Sequence, residues 1–122
     1  MRARAAFAVE NGSLRISMPG SETRLVQPDG LEVAAVVPAK DGVSAFVLLE
    51  APLGTGRIQN LIKVSNGGAT LWHAELPPGD PTDSFVDLDP RVAKDLSAST
   101  SSGKRVRLDP ESGRIRGVHF AK

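Results

Sequence analysis

Apolar and polar residues alternate along most of this chain with the period of a strand. Leu14, Ile16 and Met18 interleave with Ser13, Arg15 and Ser17. Ile62 and Val64 flank Lys63, His73 and Glu75 separate Trp72, Ala74 and Leu76, and Arg107 separates Val106 and Leu108. Side chains two positions apart share a face of a strand, so each run carries one apolar and one polar face. Turn formers punctuate the runs. Asn11-Gly12 and Asn66-Gly67-Gly68 tolerate positive φ and signal hairpins. Lys40-Asp41-Gly42 is another turn, and Asp109-Pro110-Glu111-Ser112-Gly113 sets Pro at the second turn position and Gly in a left-handed one. The pattern predicts strands near 5–9, 13–18, 31–37, 43–50, 58–65, 69–76, 83–88, 95–100, 104–109 and 114–121. Residues 90–97 fit either a strand or a helical turn capped by Asp89-Pro90, and Ser97–Gly103 either a weak edge strand or a loop. Leu76–Asp83, with Pro77, Pro78 and Pro81, predicts an irregular loop. Twelve glycines and nine prolines fall too close together for long amphipathic helices. The expected fold is therefore all-β: an antiparallel meander of short hairpins in one domain spanning 1–122, built as two packed sheets or as propeller-blade-like units.

Two runs depart from alternation. Val33–Val37 and Val43–Leu49 are apolar at nearly every position, which calls for burial on both faces. Either this is a central hairpin within one chain, or its outer face is covered by another subunit. Under the second reading Ala34, Val36, Phe46 and Leu48 form the interface, opposite Val33, Ala35, Val37, Val47 and Leu49. A contiguous apolar face of that kind marks an interaction surface, so a homo-oligomer is expected, with a dimer as the default on symmetry grounds. In the C-terminal hairpin Ile115 is out of phase with Val118 and Phe120, and a bulge at Gly117 would bring all three to one face.

Composition narrows the function classes. Fifteen Lys and Arg against fourteen Asp and Glu leave a net charge of +1, which gives no global attraction to nucleic acid or an anionic membrane. No cysteine is present, which excludes disulfides, thiolate metal sites and a cysteine nucleophile. The longest internal apolar run, Ala45–Leu49, is far short of a membrane span, and the run near the start is too short for a secretion signal. A cytoplasmic protein is expected, and Asn11-Gly12-Ser13 reads as a turn rather than a glycosylation site.

A repeat emerges at a spacing of 45. Leu61–Trp72 resembles Val106–Gly117, with Gly68 aligned to Gly113, and Ala6–Leu14 is a fainter third copy. Strand, glycine turn and strand at this spacing point to a four-stranded unit of propeller-blade length. The residues resemble the quinoprotein-type propeller repeat: an apolar strand, an Asp, a Ser-Gly or Thr-Gly turn, then a Trp. Asp109 with Ser112-Gly113 matches its first half, with Gly117 at the Trp position. Trp72 matches its second half, with Ser65 at the Asp position. The resemblance implies a fold in which the Trp packs between blades and implies no quinone binding. The Asp109-Pro110-x-x-Gly113 hairpin is also similar to that of small uncharacterised bacterial proteins. At about 45 residues per blade the chain holds fewer than three blades, below the roughly four of closed propellers.

Candidate chemistry is sparse. His73 and His119 are the only histidines, and no zinc-type spacing accompanies them. No Gly-x-Ser-x-Gly elbow occurs, and Gly54-Thr55-Gly56 lacks the remaining glycine of a dinucleotide fingerprint and reads as a turn. Asp80, Asp83, Asp87 and Asp89 form an acidic stretch that reads as a solvated face ahead of a calcium site or an acid–base pair. Residues 103–122 hold six basic against two acidic residues, a net of +4. Arg105, Arg107, Arg114 and Arg116 would share one basic face, and pairing with the acidic stretch or with a partner subunit is favoured over an external anion. Aromatic residues for base stacking are missing there. Three functions compete. The first is a non-enzymatic domain acting through protein association, with no cofactor. The second is a small-ligand or carbohydrate-binding module using Trp72 and His73 at a hairpin rim. The third is a carboxylate-based hydrolase. Trp72 is expected on the inward face with Ala74 and Leu76, which weakens the second.

Overall fold

The computed structural model describes residues 4–120. Among them run three antiparallel sheets, each a meander in chain order. The first holds β1 (Ala6–Glu10), β2 (Ser13–Ser17) and β3 (Arg24–Val26). The second holds β4 (Val33–Pro38), β5 (Ser44–Leu49), β6 (Leu61–Ser65) and β7 (Thr70–His73). The third holds β8 (Phe85–Leu88), β9 (Leu96–Thr100), β10 (Lys104–Leu108) and β11 (Ile115–Phe120). Helix is confined to one 3-10 turn at Pro28–Gly30. The fold is thus all-β as the sequence predicts, and its three antiparallel meanders match the blade-like alternative rather than two packed sheets.

The second sheet is sandwiched between the other two. All six residues of β5 are buried. Ala45, Val47 and Leu49 pack with Ile62, Val64, Phe7, Leu14 and Ile16 against the first sheet. Phe46 and Leu48 pack with Leu61, Ala98, Val106 and Leu108 against the third. This corrects the expected subunit interface: Phe46 and Leu48 are 1% and 6% exposed within a single chain. Its other two members separate. A register shift between Val33 and Ala35 bulges Ala34 out of the ladder. After the bulge Ala35 and Val37 face the third sheet, while Val36 joins Val33 toward the first. Ala34 itself is exposed.

Several local expectations hold. Asn11 and Gly12 both take positive φ, 49° and 79°, as a two-residue hairpin turn requires. Asp109 Oδ1 accepts the Glu111 N–H at 2.9 Å, and Gly113 closes that turn at φ 74°. The pairing Leu108–Ile115 followed by Arg107–Gly117 leaves Arg116 as the bulged residue, and Ile115, Val118 and Phe120 share one face. Other expectations do not. Residues 90–95 form a bent loop, neither strand nor helical turn. Leu96–Thr100 is no weak edge but an inner strand, with Leu96, Ala98 and Thr100 buried. β3 escapes the sequence pattern because its three residues are mostly exposed and show no alternation. The faint repeat copy is also misplaced. Ala6–Leu14 lies on the β1–β2 hairpin, whereas β3 is the counterpart of β7: a Cβ on Gly68 would lie 3.6 Å from Val26 of β3, in the manner of Gly113 against Trp72.

Asn60 fastens the second sheet to the third. It is 1% exposed, and its amide donates to Leu49 O at 2.7 Å and Phe85 O at 2.8 Å, while its carbonyl accepts the Phe85 N–H at 2.7 Å. Removing the amide strands three buried backbone groups, each costing about 1–3 kcal/mol when unmatched. Asn60→Ala should therefore destabilise the fold by about 3 kcal/mol or more in denaturant titration. The pair Phe46→Asp with Leu48→Asp should abolish the folded state, seen as loss of the cooperative transition, because both side chains lie in this chain's own core.

Candidate functional site

Neighbouring residues of a strand point to opposite faces, and this divides Trp72 from His73. Trp72 pairs with Lys63 and lies on the row that faces the third sheet. Its ring sits 6.0 Å from Phe46, tilted by 37°. Across the cleft it lies on Gly113, where an added Cβ would come within 2.5 Å of Trp72 Cε3. Backbone and side chain reinforce this seam: Glu75 N–H donates to Gly113 O at 2.9 Å, and Ile115 N–H donates to Glu75 Oε1 at 2.9 Å. The indole Nε1 is enclosed and has no hydrogen-bond partner among the described residues. Trp72 is half-buried against Ala74 and Leu76, so it serves inter-sheet packing. His73 faces the first sheet instead, its Nε2 2.9 Å from Asp29 Oδ2, and Asp29 holds the left-handed φ of 56°. The two residues do not form a joint ligand rim.

Of the four arginines expected on one basic face, Arg105, Arg107 and Arg116 pair within the chain. Arg105 lies 3.5 Å from Asp89 and donates to Ser99 Oγ at 2.8 Å. Arg107 and Arg116 converge on Asp95 at 2.9 and 3.0 Å, and Arg116 also reaches Asp109 at 3.2 Å. Asp95 was missed by the sequence analysis, because it stands outside the 80–89 stretch and is carried to the arginines by the 90–95 bend. Asp87, Ser99, Arg105 and His119 form one row across this outer face, and Ser97, Arg107 and Gly117 the next. Arg107 lies over Gly117, where the repeat expects a Trp. Arg114 is exposed in the β10–β11 turn, away from that row. The side-chain hydrogen bond from Arg91, with its backbone N–H, holds the Asp89 carboxyl below its ordinary value. The Glu111 N–H, then Arg116, does the same for Asp109.

The acidic stretch disperses. Asp80 is anchored in its own loop by Thr82. Asp83 is fully buried and accepts from Ser101 Oγ, Ser102 N and Ser102 Oγ at 2.9–3.1 Å, which fixes the β9–β10 hairpin. Among the described residues no three His, Asp or Glu gather in a metal-binding group. Gly54 and Gly56 take positive φ within an exposed loop. No helix of the described residues is long and apolar enough to cross a membrane.

One surface element stands apart. β11 is an outer edge strand that pairs only with β10 among the described residues. Val118 and Phe120 on it are 41% and 75% exposed. The edge strands β1, β3, β7 and β8 are shorter, and β4, of equal length, packs against β1 of the first sheet.

A family profile described as a domain of unknown function, DUF7957, matches residues 23–120. The chain belongs to the DUF7957 family. The match begins at β3 and takes in the second and third sheets whole, so the Trp72–Gly113 seam and β11 lie inside the DUF7957 domain. Among solved structures the chain is similar to the crystal structure of BamB from Moraxella catarrhalis, with a TM-score of 0.55 and 16% identity over 99% of this chain. It spans 35% of that chain. The likeness concerns the fold, and it supports the propeller-like relationship drawn from the repeat. No curated protein matches the chain.

Trp72→Ala should cost about 3 kcal/mol, the lower end for a buried aromatic because the side chain is only half-buried. Gly113→Ala should also destabilise, from its positive φ and its clash with the indole. In a double-mutant cycle the two should be strongly non-additive, since removing the ring removes the clash. Depressed carboxyl pKa values give a second expectation. The contribution of Asp89 and Asp109 is present above the ordinary value of 3.8 and is lost as pH falls below it. Asp89→Asn should therefore lower the melting temperature at pH 7 and leave it little changed near pH 2.

Proposed function

We propose that this chain is a protein-association domain that captures an extended acidic and apolar segment of a partner along the β11 edge. The observation that carries this reading is the edge of β11, which among the described residues has no strand partner beyond β10, with Val118 and Phe120 exposed on it. An unpaired edge offers a row of backbone donors and acceptors to an incoming strand, and side chains on alternate positions give it selectivity. Lys104 beside Phe120, with Arg114 in the adjoining turn, gives this edge a basic character. An acidic strand complements it.

Self-association through this edge is disfavoured. A two-fold pairing of β11 with its copy sets the basic character of this edge against itself, and like charges placed opposite are destabilising. The expected oligomer loses its original basis as well, since Phe46 and Leu48 are occupied within the chain. The rim-ligand reading loses its geometry once Trp72 and His73 face opposite ways.

Selection of peptides from a random library on the immobilised protein tests the proposal. Enriched peptides should alternate apolar residues with Asp or Glu and should slow hydrogen exchange at β11. They should bind a Val118→Lys, Phe120→Lys variant at least about tenfold more weakly, a loss of about 1.4 kcal/mol. Protection at another strand, equal binding by the variant, or self-association of the wild type through β11 would overturn it.

A further inference from the structure

A second feature lies at the opposite side of the molecule's chemistry, in the cleft between the second and third sheets. Val37, Phe46, Lys63 and Trp72 form one row of the second sheet facing the third. Three of them are apolar, as an inter-sheet row requires. Lys63 is not, and yet it is 8% exposed. Its Nζ donates to Pro110 O at 3.0 Å and stands 5.4 Å from the centre of the Phe46 ring. An ammonium has three donors, and the carbonyl satisfies one. No carboxylate lies within ion-pair distance of Nζ among the described residues.

The nearby Asp41 is engaged in its own turn. Its Oδ1 accepts Val43 N and Ser44 N at 2.9 and 3.0 Å, and its Oδ2 accepts Ser44 Oγ at 2.7 Å. Burying a cation is costly, and the Asp41 carboxylate offsets that cost from beyond ion-pair distance: after its bonds to Ser44 and Val43, Lys63 helps hold the Asp41 carboxyl below its ordinary value. At the equivalent place in the third sheet Arg107 avoids that cost by pairing with Asp95 at the surface. Lys63 instead lines a cavity of about 150 Å3 whose wall also holds the apolar Ala39, Phe46 and Val92, a second cation, Lys40, and the carboxylates Asp41 and Glu111.

We propose that this cavity binds a small aliphatic monocarboxylate, with Lys63 Nζ holding the carboxylate and Phe46, Val92 and Ala39 enclosing the hydrocarbon. A cavity of this size suits a molecule of about benzene's volume, so a short chain fits and a large metabolite does not. The carboxylates Asp41 and Glu111 in its wall oppose a dianion such as phosphate more than a monoanion, and Lys40 and Lys63 balance their charge.

The probe is sodium butyrate, titrated into the full chain and followed by nuclear magnetic resonance. Shifts should centre on Phe46, Lys63 and Val92, butyramide should bind at least about tenfold more weakly, and inorganic phosphate should produce no saturable shift at these residues. Lys63→Met keeps the length of the side chain and removes the charge, and it should abolish butyrate binding without lowering the melting temperature. Should Lys63→Met not fold, the wild-type comparison of butyrate with butyramide decides the matter. Equal affinity for the amide, tighter binding of phosphate, shifts elsewhere, undiminished binding by a folded Lys63→Met, or no binding at all would each overturn the site.

Discussion

A strand whose two faces are both apolar can be stable only between two layers, and β5 is such a strand. Its six residues are all buried, alternate ones toward the first sheet and toward the third. The rest of the architecture follows from that demand. The first sheet is small, three short strands, but it supplies Phe7, Leu14 and Ile16 where Val47 and Leu49 need cover. The third supplies Leu96, Ala98, Val106 and Leu108 to cover Phe46 and Leu48. Apolar area removed from water at about 25 cal/mol per Å2 drives both packings and imposes no direction on them. Direction comes from polar and shape-specific contacts: Asn60 against Phe85, Trp72 on Gly113, and Glu75 against Gly113 and Ile115.

The stack has chemically distinct ends. Away from the core the first sheet shows Ala6, Ala8, Arg15 and Ser17, and the third shows Ser97, Ser99, Arg105 and Arg107. In the second sheet the positions paired across β5, β6 and β7 hold Phe46, Lys63 and Trp72, and in the third their counterparts are Ser97, Arg107 and Gly117. The two aromatic groups that dock into a neighbouring sheet are therefore replaced by small residues, and a paired arginine covers the gap. Stacked repeats commonly end on such polar faces. The blade-like pattern repeats, but burial of apolar surface does not continue across the outer face of the third sheet.

Much of this was legible in the chain. Period-two alternation, turn signals and two wholly apolar runs located ten of the strands, and the Gly68–Gly113 spacing revealed the repeat. The inward position of Trp72 was also within reach, as was pairing of the arginines with carboxylates, though not the departure of Arg114 from that face. What failed did so for identifiable reasons. The both-sided apolar run at β5 demands two covering layers but does not say whose. β3 is too short and too exposed for periodicity to register, and without it a third layer was hard to count. The bulge at Ala34 reverses parity midway along β4, so strict alternation assigned Ala35, Val36 and Val37 to the wrong faces. Lys63 looked like an ordinary polar position between Ile62 and Val64. Its burial depends on Pro110, 47 positions away, a relation that no local pattern carries. Asp95 became a partner for two arginines only through the loop before β9.

Native-state hydrogen exchange measured at several protein concentrations tests most directly the claim that one chain covers both faces of β5. The account predicts that the amides of Ala45–Leu49 exchange only through global unfolding, with the same free energy at every concentration. Exchange of β5 that slows as concentration rises, or that runs faster than exchange from the outer strands, would contradict it and return one of those faces to a partner.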